Sequence, residues 1–231
     1  MEKLLRKSFL DHLIDNGFVP DHQHGFVPGR SCSTQLLKVL DKWTGILDRG
    51  GDVDVVYLEL AKALDSVPHN RLLLKLESYD VKGTLLEWMK NFLIGRRHLV
   101  MVAGTGSQWA PVLSGVPRGS VLGPLLFISY INDMQQTVSS FIYMYADDTK
   151  VVRKVTTARD CEELQADLDS IQHWSEKWQM KFTSSKYRIM HLGLRPNDRA
   201  EYTMNDNGII EISLEVISVM QWLKEIRYLD S

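Results

Sequence analysis

The stretch Phe141-Ile142-Tyr143-Met144-Tyr145-Ala146-Asp147-Asp148-Thr149-Lys150-Val151-Val152-Arg153 decides how this chain of 231 residues is read. Its aromatic and β-branched residues predict a strand, a tight turn and a second strand, with two adjacent aspartates at the turn. Aspartate is common in turns, so the pair alone reads as part of a solvated loop. The flanking run FIYMYA shifts the balance, because it is apolar and makes the pair the cap of buried strands. Carboxylates held at that density are tolerated when a divalent cation neutralises them, and Mg²⁺ prefers such hard oxygens.

Working outward, VDVVYLEL (53–60) reads as a strand buried on both faces. An acid inside it, Glu59, is expensive unless paired or metal-bound. If Glu59 converges with Asp147 and Asp148, the three build a two-metal site that stabilises both the attacking and the leaving oxygen of a phosphoryl displacement. That is polymerase or nuclease chemistry. The helix predicted over 35–47 places Leu36, Leu37, Leu40, Trp43 and Leu47 on one face, after a capping start at Ser31, Ser33 and Thr34. Pro68 suits the first turn of a helix through Arg71-Leu76, and a further helix follows Gly83. Segments 98–103 and 109–113 read as a hairpin around Gly104 and Gly106. Residues 120–134 read as helical despite Pro124, and a long helix spans about 160–180 with Leu164, Leu168, Ile171 and Trp174 in step. A last strand covers 187–192. Helices mixed with hairpins and no βαβ repetition predict an α+β fold, with a largely antiparallel sheet packed on helices.

Composition narrows the class. The chain is 44% hydrophobic and 24% charged, as globular proteins are. No apolar run approaches the ~20 residues of a membrane span. MEKLLRKSFLDHL is charged throughout and unlike a secretory signal, so an intracellular protein of nucleus or cytoplasm is expected, not a secreted one. Cys32 and Cys161 lack paired spacing, and the seven histidines form no zinc-ligand pattern. The net charge of −2 requires any nucleic-acid contact to rest on local basic patches.

The order YLELAKALDSVPH, LSGVPRGSVLGPLLFISYIND, YADD and WSEKWQMKFTSSKYRIMHLG resembles the reverse transcriptase of non-LTR retrotransposons, nearest to chicken-repeat and jockey-like elements. QHGFVPGRS (23–31) resembles the segment that precedes the palm motifs in that family, and the likeness covers roughly residues 1–195. It implies a polymerase palm over 51–195, partial fingers over 1–50, and a divergent tail over 196–231 without a thumb. It implies RNA-directed DNA synthesis with two Mg²⁺ ions, an RNA template, a DNA primer and a deoxynucleotide substrate, and no membrane. Carried over by position, Asp147 and Asp148 hold metal and Glu59 takes the place of a third catalytic carboxylate. Leu64 sits where the family has an aromatic that closes off a ribose 2′-hydroxyl. The loop Ser114 to Ser120, with Gly115, Pro117, Arg118 and Gly119, lies along template and nucleotide. Lys186 falls at the lysine thought to protonate pyrophosphate, and reads equally as a solvated surface lysine.

This chain departs from the pattern where activity is most sensitive. Glu59 stands for aspartate, and its extra methylene displaces a carboxylate by about one bond, where misplacement of ~1 Å can cost on the order of 10²-fold in rate. Leu64 replaces the aromatic gate, Arg118 replaces the glutamine of SGVPQGS, and Thr183 stands where asparagine is common. Arg118 is expected as an exposed loop arginine in preference to a phosphate contact, and Asp65 as a helix cap in preference to an aid to the site. Arg96-Arg97-His98 reads as the charged entry to a hairpin or as a backbone contact for nucleic acid. The likeness also implies that triphosphate-gripping fingers, primer grip and thumb lie outside this stretch. An impaired copy is therefore expected, with a non-catalytic RNA- or protein-binding remnant, or a decayed fragment, as the alternatives.

Overall fold

A computed structural model of the chain describes residues 2–193 and 200–213. The reading of 196–231 as a tail therefore lies largely outside the described residues. The helices are α1 (Glu2–Asp15), α2 (Cys32–Leu47), α3 (Ala63–Ser66), α4 (His69–Ser78), α5 (Gly83–Leu93), α6 (Gly123–Ile131) and α7 (Ala158–Trp178). The strands are β1 (Asp52–Glu59), β2 (Arg97–His98), β3 (Met101–Val102), β4 (Thr105–Gly106), β5 (Ala110–Pro111), β6 (Phe141–Tyr145), β7 (Asp148–Val155), β8 (Arg188–Leu192), β9 (Thr203–Met204), β10 (Asn207–Gly208) and β11 (Ile210–Glu211). None of the described helices is long and apolar enough to cross a membrane. The expected α+β class is what forms.

The chain folds as two compact units. One gathers Asp21–Leu60, Asp133–Lys177 and the described residues from Lys181 onward around a five-stranded sheet ordered β11-β8-β1-β7-β6. Its pairings are antiparallel except that of β11 on β8. β1 lies at the centre because Val53, Val55, Val56 and Leu58 can be buried there, each at 2% exposure or less. Helix α2 covers one face through Val39, Trp43 and Ile46, which pack on Val53, Val55, Val152 and Met190. Each such side chain contributes ~1.5–3 kcal/mol of burial, an upper estimate. The buried stripe of α2 thus runs through Gln35, Val39, Trp43 and Ile46, and the expected stripe through Leu37 and Leu40 is corrected: they are 66% and 39% exposed. Branched Val39 and Ile46 flank Trp43 against the valine surface of the sheet, so the helix turns that face inward. Ser31 caps α2 as expected, in a reciprocal capping box with Thr34.

The other unit gathers Met1–Pro20, Ala61–Asn132 and Trp178–Met180. Helix α6 is its core: Leu125 to Ile131 are all buried, as a helix apolar all round must be. Pro124 falls in its first turn, where a missing N–H costs nothing. Lys75 of α4 is 3% exposed and is tolerated because its ammonium donates to the Tyr130 carbonyl and lies 3.9 Å from the Trp178 ring centre. His12 of α1 donates to the Tyr79 carbonyl at 2.6 Å, and the Tyr79 hydroxyl donates to Ser129 O at 3.0 Å. The hairpin expected over 98–113 forms, but as two short ladders, β2 with β5 and β3 with β4.

Candidate functional site

In the sheet unit, β1 and β7 run antiparallel in a register that sets Glu59 opposite Asp148, Tyr57 opposite Lys150 and Val55 opposite Val152. Register partners share a face, so Glu59 and Asp148 stand together at one end of the ladder. The Leu60 N–H donates to Asp147 O at 3.3 Å, which extends the pairing to the turn. Tyr145 pairs with Asp148, so the tight turn itself is Ala146-Asp147, and Asp148 is the first residue of β7. Only one of the two aspartates therefore occupies the turn. Asp148 is 8% exposed, and Asp147 is half-buried.

Lys186 lies in a short 3-10 turn after a bridge between Leu60 and Phe182, and the Thr183 N–H donates to Glu59 O at 2.9 Å. These backbone contacts bring its ammonium into an ion pair with the Glu59 carboxylate. Lys186 is thus no isolated surface lysine. Among the described residues no three His, Cys, Asp or Glu side chains are gathered as a metal cage.

Sequence reasoning marked QHGFVPGRS (23–31) only by its likeness to a family segment and did not place it under the turn. The Gln23 amide oxygen accepts from Gly25 N at 2.8 Å and from Ala146 N at 3.2 Å. His24 N donates to Met144 O and Met144 N to His22 O, both at 2.8 Å, in a parallel bridge. A Cβ at Gly25 would stand 2.3 Å from Ala146 N, so only glycine allows this approach. Ala146 itself has φ +53°, a left-handed conformation that costs a non-glycine residue ~1 kcal/mol or more and persists only where surroundings impose it. Burial pushes the His22 and His24 imidazoles down to about 4, with Arg30 and Lys38 adding to the effect, so both rings are neutral at pH 7. Lys150 was also missed. It is 6% exposed, donates to Gln35 Oε1 at 2.8 Å, and shares the strand face of Asp148 two residues away. A lysine between the aspartate pair and the apolar Val151-Val152 was the available signal for it; nothing local marked Gly25.

The remaining expected residues lie in the helical unit. Segment 114–116 is stitched to 64–67: Gly115 N donates to Val67 O and Val116 N to Leu64 O, both at 2.8 Å. The Ser114 hydroxyl donates to Asp65 O at 2.8 Å. Gly115 has φ +86°, and a Cβ there would meet the Asp65 backbone at 2.7 Å. Arg118 grips the Asp65 carboxylate with two donors, Nε at 2.8 Å and Nη2. Asp65 lies inside α3 and binds Arg118, so the expected helix cap is corrected, and Arg118 is exposed but paired. Its planar fork matches a carboxylate edge better than local capping geometry would. Pro117 O accepts from the Ser120 hydroxyl at 2.7 Å, and that oxygen accepts from Gly123 N at 2.9 Å, which fixes the loop onto the start of α6. Gly119 has φ +75° and open space around it.

Over residues 1–229 the chain matches the family described as reverse transcriptase (RNA-dependent DNA polymerase). It is 30% identical over 191 residues to a probable RNA-directed DNA polymerase from transposon X-element of Drosophila melanogaster, covering 80% of this chain and 21% of that protein. It is equally 30% identical, over 197 residues, to the RNA-directed DNA polymerase from mobile element jockey of Drosophila funebris, with 80% and 21% covered. The chain spans about a fifth of the length of these relatives. Among solved structures, apo telomerase from Candida tropicalis, truncated from its C-terminal domain, is similar at a TM-score of 0.61 and 10% identity, over 88% of this chain and 42% of that one. Telomerase from Candida albicans, in complex with a fragment of telomeric RNA, gives 0.61 and 13%, over 88% and 35%. At such identities the likeness is one of fold.

Proposed function

Because this chain belongs to the reverse transcriptase (RNA-dependent DNA polymerase) family, we propose that it carries the palm of a retroelement RNA-directed DNA polymerase, impaired in this copy. The observation that carries the reading is the register of β1 on β7, which sets Glu59 opposite Asp148 beside the Ala146-Asp147 turn. In this reading 51–195 is the palm, 1–50 a part of the fingers and 196–231 a divergent tail. Its partners are an RNA template and a DNA primer, its substrate a deoxynucleotide, and its place the nucleus or cytoplasm. The relatives' names, RNA-directed DNA polymerases of mobile elements, support those partners.

Divalent-metal chemistry goes with the family, and magnesium is the ion we assign. Glu59, Asp147 and Asp148 would hold it, an all-oxygen donor set that suits a hard cation. Two such ions, roughly 3.5–4 Å apart, supply charge neutralisation at the attacking and leaving oxygens of an in-line displacement. The chain's own residues do the rest. The β1–β7 ladder holds Glu59 and Asp148 in fixed register, and Lys186 sets its amine beside Glu59. Leu64, Gly115, Pro117, Arg118 and Gly119 would hold the nucleotide, on a loop braced by the Asp65–Arg118 pair.

A second reading, a non-catalytic palm remnant that binds RNA or protein, is favoured by one observation: the Glu59 carboxylate is already ion-paired with Lys186. The two readings part on a primed RNA template with Mg²⁺ or Mn²⁺. The enzymatic one expects Glu59→Asp with Arg118→Gln to raise incorporation and Asp147→Ala to abolish it. Template binding with no incorporation by any variant would reject it in favour of the remnant.

A further inference from the structure

The helical unit contains a cavity of about 870 Å³ that shares only Ser114, the first residue of the 114–120 loop, with the residues assigned to nucleotidyl transfer. Arg71 of α4, Arg96 from the turn after α5 and Arg97 of β2 line it, with His69, Asn70 and Ser114. No Asp or Glu is in the lining, although the chain as a whole is slightly acidic. Among the described residues none of the three arginines forms an ion pair. Three guanidinium groups lining one concavity repel each other, and no carboxylate of that lining offsets them.

The basic groups are also held in place. Arg96 is half-buried, with Nε donating to Leu93 O at 3.0 Å and Nη2 to Gly115 O at 2.7 Å. His69 donates to the same Gly115 carbonyl at 2.9 Å. Anchoring on carbonyls fixes a guanidinium without cancelling its charge, which lowers the entropy a ligand must remove. The first turn of α4 opens on the same cavity, with no side-chain cap and no acidic residue, so its polarised N–H groups add to the positive potential. Arg97 also lies over the ring of Trp109, an exposed aromatic, at 5.9 Å from its centre.

We propose that this cavity binds phosphate groups through Arg71, Arg96 and Arg97, carried by a single nucleic-acid strand or by a free polyphosphate. Guanidinium forks pair with phosphate oxygens in two-point contacts, and the volume lies within the range of ligand pockets. The site does not depend on the carboxylate end of the sheet or on catalysis.

Two probes separate the sources: a labelled oligothymidylate followed by anisotropy, and inorganic tripolyphosphate followed by calorimetry, both with the purified chain. Arg71→Ala and Arg97→Ala are each expected to weaken binding by about tenfold, the loss of one charge-assisted contact. Between about 50 and 200 mM salt, each variant should also lose ~0.7–0.9 from the salt slope of the strand. Lys90→Ala removes equal charge from the same unit and should change neither. Arg97→Gln, at an exposed position, keeps the test open should Arg71→Ala fail to fold. A response of the oligonucleotide alone identifies a strand as ligand, and a response of tripolyphosphate identifies a free polyphosphate. Failure of the wild-type chain to bind either probe, or equal binding by wild type and the arginine variants, overturns the proposal.

Discussion

Ala146 shows how much one residue is made to bear. Its positive φ is imposed by the Tyr145–Asp148 pairing above and by Gln23 and Gly25 below. Gly25→Ala would push a methyl carbon into the Ala146 nitrogen, and overpacking of that kind costs ~1–3 kcal/mol. The expected outcome is a lower thermal midpoint, together with loss of any incorporation the chain supports. A Gly25→Ala variant as stable as wild type would mean that the 22–25 segment does not brace the turn. Arg118 behaves differently. Its pair with Asp65 is exposed at 67% and 46% for the two side chains. Arg118→Gln should therefore change stability in urea by less than ~1 kcal/mol. Any gain in incorporation then reflects the loop and not the fold.

Two contacts decide how the helices of the sheet unit are held. Ser31→Ala removes the reciprocal cap of α2 and should cost ~1 kcal/mol in urea denaturation, with the β-sheet signal in circular dichroism retained. Asp167 of α7 matters more. It is 6% exposed, and its carboxylate accepts from Ser139 N and Ser140 N, both at 2.8 Å, and pairs with Arg153 of β7. Asp167→Ala leaves the largely buried Arg153 with Glu163 as its one remaining ion-pair partner among the described residues and strips two backbone N–H groups of their acceptor. A loss of ~3 kcal/mol is expected. A loss below that of Ser31→Ala would show that α7 is held by Leu164, Leu168, Ile171 and Trp174 alone.

Across the molecule, acid stability should follow the two histidines beneath the turn. Their folded values of about 4 lie below the ordinary 6.5, so between these pH values the unfolded chain binds more protons than the folded one. Stability therefore rises with pH through that window and is lost as pH falls from 6.5 toward 4. For buried His24 alone the change is on the order of 2–3 kcal/mol. Thermal midpoints from pH 4 to 7 test it, and His24→Leu should flatten the slope; an unaltered slope would assign acid sensitivity elsewhere. What the order of residues determined alone is the local part. The apolar run of 53–60, the helical step through Leu164 and Trp174, a tight turn at the aspartate pair and the cap at Ser31 depend on neighbours a few positions away. Glu59, Asp147 and Asp148 were legible as candidates because acids beside apolar strand segments are costly wherever they occur, whereas Lys186 was marked only by the family resemblance. Tertiary structure alone decided which groups meet: Gly25 under Ala146, Asp65 on Arg118, Lys186 on Glu59, and three arginines around one cavity. It also decided that Val39 and Ile46, not Leu37 and Leu40, face the sheet. Such pairings join segments distant in the chain, and the packing of whole faces selects among them by small differences in burial and charge.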